Sequence, residues 1–258
     1  MVVILVKEVR VIGIKLEKFI SENDDLPLLL FEAAVKQGTP MMDNDIIAIT
    51  HTAVAKAEGL KIPLSQVNPT HKEKAIALLL RREYDPRVIA LAVREAREIV
   101  RIDRGHLITS TYFGHVTANT GVDLSNVDGG NSAIILPRDP DEIAEKYRMR
   151  FKELGVTVAV IIMDSSGRPL RRGEVNIAIG VAGMSSIKDL RGKRDLYGRI
   201  LKVKKIAVAD EIAASAELVT GSCSEGIPAA IIRGVSFDPI DTPTGSLLVR
   251  DPQEDLFL

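Results

Sequence analysis

The sequence predicts an α+β chain with mixed β-sheets and flanking helices. Three observations carry that prediction. Short apolar, β-branched runs recur from end to end, and they read as strands. Amphipathic stretches opened by helix-start signals alternate with them. The chain has 258 residues, of which 46% are hydrophobic and only 4% aromatic, so a sizeable core must be built from Ile, Val, Leu and Ala.

The elements follow in order. Met1–Val6 and Arg10–Ile14 read as strands, and Leu26–Lys36 as an amphipathic helix behind Asp24-Asp25. Asp45–Thr50 reads as a strand. Pro69-Thr70 precedes a helix over His71–Arg82, with Thr70 as its cap. Asp85-Pro86 is an acidic cap followed by Pro at the first helical position, and the apolar face from Ile89 to Val100 predicts a helix to about Arg101. Asp139-Pro140 repeats the signal and opens a helix that stops at Gly155. Val156–Met163 is an apolar strand that halts at Asp164-Ser165-Ser166-Gly167-Arg168-Pro169. The Gly-punctuated stretches 173–183 and 192–198 predict long loops or hairpins. A strand over Lys204–Val208, a helix over Asp210–Val219 ending at Gly221, and a strand over Ile227–Ile232 complete the order. With no repeat and no low-complexity linker, residues 1–258 read as one unit, and 251–258 as a loose tail.

Lys and Arg total 34 against 35 for Asp and Glu, a net charge of −1, so nothing global favours nucleic acid or an anionic membrane. A single cysteine, Cys223, excludes an internal disulfide and a cysteine-rich metal site, and suits a reducing cytoplasm. The apolar N-terminus is too short for a signal peptide. No stretch reaches the roughly 18 apolar residues that span a bilayer. The familiar phosphate-binding loop, dinucleotide fingerprint and nucleophile elbow are all absent. The four histidines, 51, 71, 106 and 115, lack metal-ligand spacing.

Several segments carry chemistry. A carboxylate at a strand end is held by a rigid element and faces a loop, a good place for a divalent cation or a phosphate. Asp164-Ser165-Ser166-Gly167 is such a place, although a capped turn reads equally well. Asn119-Thr-Gly-Val-Asp123-Leu-Ser-Asn126 offers a second acid, with an Asn/Asp-rich turn as the competing reading. Lys56 offers a point charge for phosphate; otherwise it is a solvated Lys beside Glu58. Arg168, Arg171 and Arg172 offer a grip on an anion or a basic hairpin face. The excess of Lys and Arg over 187–205 reads as an anion-binding surface or as charge left in solvent. Gly221-Ser222-Cys223-Ser224-Glu225-Gly226 is flexible enough to close over a ligand; a plain connector explains it too.

Together these segments resemble the family of coenzyme F-420-0:γ-glutamyl ligases. The matching pieces are Lys56-Ala57-Glu58-Gly59, Asn119-x-Gly121-x-Asp123-x-Ser125-Asn126 and Asp164-x-x-Gly167-Arg168-Pro169. Arg171-x-Gly173, Ala178-Ile-Gly180-x-Ala182-Gly183 and Asp195-x-Tyr197-Gly198-Arg199 follow, then Ala209-Asp210-Glu211-x-Ala213 and Gly226-Ile-Pro228 through Arg233-Gly234. They stand in the family's order from about Gly13 to Gly234.

The resemblance implies a two-lobed homodimer and a GTP-dependent ligase working with Mg²⁺ or Mn²⁺, with room for a monovalent cation. It implies amide formation between L-glutamate and a deazaflavin coenzyme precursor through an acyl phosphate, and a γ-linked second glutamate is compatible with it. Carried over by position, Asp123, Asp164 and Ser165 match the metal-binding residues, and Asp123, Asp164 and Arg168 the catalytic ones. Ile14, Lys15, Leu16 and Glu17, then His51, Thr52, Lys56 and Asn126, and finally Thr220 through Ile227 match nucleotide contacts. This chain departs from the family at Ser222, where some members carry a Glu that helps hold a second metal, and at Leu170, where an aromatic is frequent. A ligase with a different carboxylate acceptor and a non-catalytic nucleotide-binding relative are the alternatives.

Overall fold

The structure is a computed structural model that describes residues 8–80 and 84–254. The expected strand over Met1–Val6, the end of the helix at Arg82 and the last residues of the tail lie outside them; Pro252–Glu254 forms a single helical turn. The mixed α+β class holds.

A five-stranded sheet organises the molecule. Its strands are β1 (Arg10–Ile14), β2 (Ile46–Thr50), β8 (Ala159–Gly167), β9 (Glu174–Ala182) and β12 (Ala229–Arg233), in the spatial order β1-β12-β2-β8-β9. Only β2 and β8 pair parallel. Alternation along the strands supplies two cores. Ile47, Ile49, Val160 and Ile162 face one way, under the helices α1 (Leu26–Lys36), α2 (His51–Ala57) and α5 (Pro140–Glu153). Ile46, Ala48, Ile161 and Met163 face the other way, under α6 (Val208–Thr220).

A third core belongs to the segment between α2 and α5. It holds the pair β3 (Lys61–Pro63) and β7 (Ser132–Ile134), the hairpin strands β4 (Glu98–Asp103), β5 (His106–Ser110) and β6 (Val116–Ala118), and the helices α3 (His71–Leu79) and α4 (Pro86–Glu95). Leu64, Leu80, Ile89 and Leu107 are its buried centre. A short two-stranded arm, β10 (Lys188–Asp189) and β11 (Lys205–Ile206), projects between β9 and α6.

The helix starts follow from their caps. Thr70 and Glu73 form a reciprocal capping box on α3. Asp85 and Asp139 accept from backbone N–H groups of Arg87 and Glu142 at 2.9 Å, each with Pro in the first turn.

Several boundaries differ from expectation. α4 ends at Glu95 rather than near Arg101, because β-branched Ile99, Val100 and Ile102 join β4, with Ile99 and Ile102 opposite Thr109 and Leu107 of β5 and Val100 at a bulge between them. β8 starts at Ala159 and does not stop at Met163. It runs through Asp164, Ser165 and Ser166 to Gly167, because β9 pairs alongside that whole stretch. Of the two readings of 173–183, loop or hairpin, the structure shows the hairpin, with Glu174–Ala182 returning antiparallel along β8. The strand expected over Lys204–Val208 shrinks to two residues, and α6 begins at Val208.

Candidate active site

Strand polarity decides where the loops meet. β1, β2 and β8 run the same way, and β12 runs against them. The carboxyl ends of β1, β2 and β8 and the start of β12 therefore share one edge of the sheet. Residues 14–17, the start of α2, Asp164 and the 221–228 loop all emerge there. Leu16 N donates to Gly226 O at 3.2 Å, and Thr50 N donates to Pro228 O at 2.9 Å.

Asp164 lies on the α2 face of β8. His51, the first residue of α2, donates from Nδ1 to Asp164 Oδ1 at 2.9 Å, and both residues are buried. Burial pushes the His51 pKa down. The Asp164 charge and hydrogen bond, with the Asp123 charge behind them, reverse this and raise it above its ordinary value. Asp123 and Asp164 thus act on one imidazole, although they lie far apart in sequence.

The 119–126 loop opens on strained backbone. Asn119 and Thr120 both have left-handed φ, 52° and 54°. Thr120 holds that conformation with buried bonds: its N donates to Thr109 Oγ1 at 2.8 Å, and its Oγ1 donates to Ala92 O at 2.6 Å. Asp123 then pairs with Ile134 through both backbone groups and accepts from Ser125 N at 2.8 Å. Lys56 Nζ donates to Asn126 O, and Asn126 Nδ2 donates to Cys223 O at 2.8 Å. This chain links α2, the Asp123 loop and the 221–226 loop. Burial, then repulsion by Lys61, lowers the Lys56 pKa against the pull of Asp123. Glu58 is not its partner; that carboxylate takes Lys146 and the Tyr147 hydroxyl.

Other expected residues stand apart. Ser165 leaves β8 on the opposite face from Asp164 and donates to Asn176 Oδ1 at 2.9 Å. Arg168 sits at the β8–β9 turn, where Nη2 donates to Arg172 O at 2.9 Å. Four residues along a strand place it roughly 13 Å beyond Asp164. Ile14 is fully buried, so only its backbone is available to a ligand. Lys15 is exposed, and Glu17 pairs with Lys36. Thr52 is in the first turn of α2. Thr220 is buried with its hydroxyl unpartnered. In the loop beyond it, Ser222 Oγ lies 3.3 Å from Glu217 Oε1, and Ser224 is exposed. Glu225 turns back onto its own loop, where Cys223 N holds its carboxyl below the ordinary range.

The sequence model of the F420-0:Gamma-glutamyl ligase family matches residues 13–234. The chain belongs to that family. It is 41% identical over 251 residues to a coenzyme F420:L-glutamate ligase of Methanothermobacter thermautotrophicus, covering 96% of this chain and 98% of the relative. It is 42% identical to proteins of the same name from Methanopyrus kandleri (96% and 97% covered) and Methanocaldococcus jannaschii (97% of each).

Several motif residues of this F420-0:Gamma-glutamyl ligase family member serve the scaffold. Arg233 forks onto buried Asp45. Asp210 Oδ1 accepts from Ala178 N at 3.0 Å. A Cβ at Gly180 would stand 2.3 Å from Pro140 O, so only glycine lets α5 approach β9 this closely. A cavity of ≈ 490 Å³ opens along the first turns of α5, lined by Asp139, Asp141, Glu142 and Met149. Asp164 does not line it, and its Asp141 carboxylate is occupied by the backbone N–H groups of Val181, Gly245 and Ser246.

The donor chemistry fits a hard divalent cation only in part. Asp123 and Asp164 both lie within electrostatic reach of His51 and offer the hard carboxylate oxygens that Mg²⁺ or Mn²⁺ prefers, with Asp164 buried and the half-buried Asp123 accepting from the N–H and hydroxyl of Ser125. Among the described residues, however, no three His, Cys, Asp or Glu side chains converge into a ready-made metal set. An ion between the two acids would therefore complete its shell with water or substrate oxygens. Sequence reading missed the His51–Asp164 bond, because no spacing rule joins residues 113 positions apart.

Proposed function

We propose that this chain joins the α-amine of L-glutamate to a carboxylate of the F420 precursor, driven by GTP. One observation carries the reading: Asp123, Asp164, His51, Lys56 and Asn126 gather at one sheet edge, in a chain whose relatives bear the name of that ligase. A carboxylate is a poor electrophile. Its oxygen takes the γ-phosphoryl group, GDP leaves, and an acyl phosphate results. The amine then attacks the acyl carbon, the C–O bond to phosphate breaks, and the proton leaves with the displaced phosphate or with solvent. Asp123 and Asp164 would hold a Mg²⁺ or Mn²⁺ ion, which supplies neutralisation of phosphate charge. Lys56, steadied on Asn126, would add a fixed cation. The 221–226 loop, tied down at Cys223 O, would position the nucleotide and keep water from the acyl phosphate.

The same reading includes a cytoplasmic homodimer. Its support is the 188–206 arm, whose tip leaves Leu196 and Tyr197 fully exposed. Light scattering should give twice the chain mass; a monomer at micromolar concentration contradicts this part.

The deciding assay mixes the protein with unglutamylated coenzyme, L-glutamate, GTP and Mg²⁺ or Mn²⁺. Mass spectrometry should find an added glutamyl group, and GDP should appear with it. Asp164→Ala should make no product while keeping its circular dichroism. Wild-type protein that yields neither product nor GDP rules the reading out.

A further inference from the structure

We infer that His115 binds the acceptor substrate, donating a hydrogen bond from Nε2 to an oxygen of its reacting carboxylate. The inference rests on the ligase reading and adds a residue to it.

His115 is held on its backbone. Thr111 N donates to His115 O at 2.8 Å, and His115 N donates to Thr111 Oγ1 at 3.0 Å, closing a turn between β5 and β6. Its ring lies nearly parallel to Phe113, with centroids 6.3 Å apart and planes 9° apart. Phe113 in turn packs against the core beneath α1 and α2. The imidazole is therefore fixed before any ligand arrives.

Its Nε2 atom is buried and has no partner. Leaving such a group unmet carries a desolvation penalty, which a ligand oxygen removes. The ring also lies within electrostatic reach of Asp164. His51 Nε2 and Asn119 Oδ1 are likewise buried without partners. His51 is bonded to Asp164 and Asn119 opens the Asp123 loop, so unmet hydrogen-bonding capacity surrounds the two acids.

The ligand's identity follows from charge. Nucleotide phosphates carry several charges and are drawn to cations, and Lys56 stands in the chain that ties α2 to the 221–226 loop. His115 is outside that chain, and burial keeps its ring neutral. A neutral N–H suits an oxygen that starts in a carboxylate and gathers charge when the amine adds to the acyl carbon. No proton leaves His115 in this role.

The test compares His115→Gln, His115→Asn and His115→Ala in the glutamylation assay. The Gln amide nitrogen reaches the Nε2 position; the Asn nitrogen lies nearer Nδ1. His115→Gln should keep most of the wild-type kcat. Asn and Ala should lose about 10²–10³-fold in kcat, with the GTP KM and the thermal shift on GTP unchanged. Wild-type kcat and acceptor KM in all three variants would overturn the assignment. So would a loss matched by a rise in GTP KM, which moves the ring to the nucleotide, or equal losses in all three, which make the ring structural. Failure of the ligase reading is distinct: wild-type protein itself then forms no product.

Discussion

His51 Nδ1 and Asp164 Oδ1 stand 2.9 Å apart in a buried pair just past the end of β2, where the parallel strand β8 runs on beside β9. Two opposed effects meet there. Burial lowers the imidazole pKa, and the Asp164 and Asp123 charges raise it further than burial depresses it. The native state therefore holds a proton that the unfolded chain releases near pH 6.5. The associated stability is fully present below that pH and is lost as pH rises through the native value. Asp164→Asn should reverse the sign, because burial then acts almost alone. The His51 pKa should fall below the ordinary value, and stability should fall with decreasing pH. NMR titration of His51 in both proteins checks this; an unchanged pKa in Asp164→Asn would show that Asp164 does not set it.

Arg233 and Asp45 fasten β12 to the start of β2. Nε and Nη2 of the guanidinium reach the two carboxylate oxygens at 2.8 and 2.6 Å, and Asp45 is almost wholly buried. Nη2 also donates to Pro40 O at 2.8 Å. Arg233→Ala strands a buried carboxylate, so unfolding by denaturant should show a loss of about 3–5 kcal/mol. A loss below about 1 kcal/mol, the worth of an exposed pair, would mean that water reaches Asp45.

The legible parts of this fold were those with local causes. Leu26–Lys36, Arg10–Ile14 and the start of α5 match expectation because a cap, a Pro or an apolar run fixes each within a few residues. The extension of β8 through Asp164-Ser165-Ser166-Gly167 was illegible, because turn-forming residues stay extended only through their pairing with Glu174–Ile177. α2 was missed because its seven residues are too few to display a helical period. The end of α4 was misplaced because Ile99 and Val100 continue the helical stripe while preferring a strand. At the candidate site the acids were visible as types at element ends. Separation of Ser165 from Asp164 required knowing that both sit inside one strand, and His115 required the tertiary fold.

Gly121 closes the left-handed turn that delivers Asp123. Its φ is 69°, and a Cβ there would lie 2.4 Å from Leu136 Cδ1. Gly121→Ala therefore adds backbone strain to overpacking, and should cost about 1–3 kcal/mol. The strain falls two residues before Asp123, so metal-dependent GTP binding should weaken as well. Differential scanning fluorimetry with and without GTP and Mn²⁺ separates the two effects. A lowered melting temperature with an unchanged ligand shift would show that the turn supports the fold and leaves Asp123 in place.

Glu217 joins the second face of β8 to the 221–226 loop. Its Oε2 accepts from Asn176 N at 2.9 Å, its Oε1 meets Ser222 Oγ at 3.3 Å, and Asn176 Oδ1 accepts from Ser165 at 2.9 Å. Ser165 and Ser222 are thereby linked through one carboxylate on α6. If that link orders the loop for nucleotide, Glu217→Ala forfeits two hydrogen bonds of about 1 kcal/mol each. GTP affinity should then fall roughly 5- to 30-fold. Glu217→Gln keeps an acceptor oxygen toward Asn176 and should fall between wild type and Ala. Calorimetric titration with GTP and Mg²⁺ reads the order directly. Equal affinity in wild type and Glu217→Ala would mean that the loop is set by Asn126 and its own glycines alone.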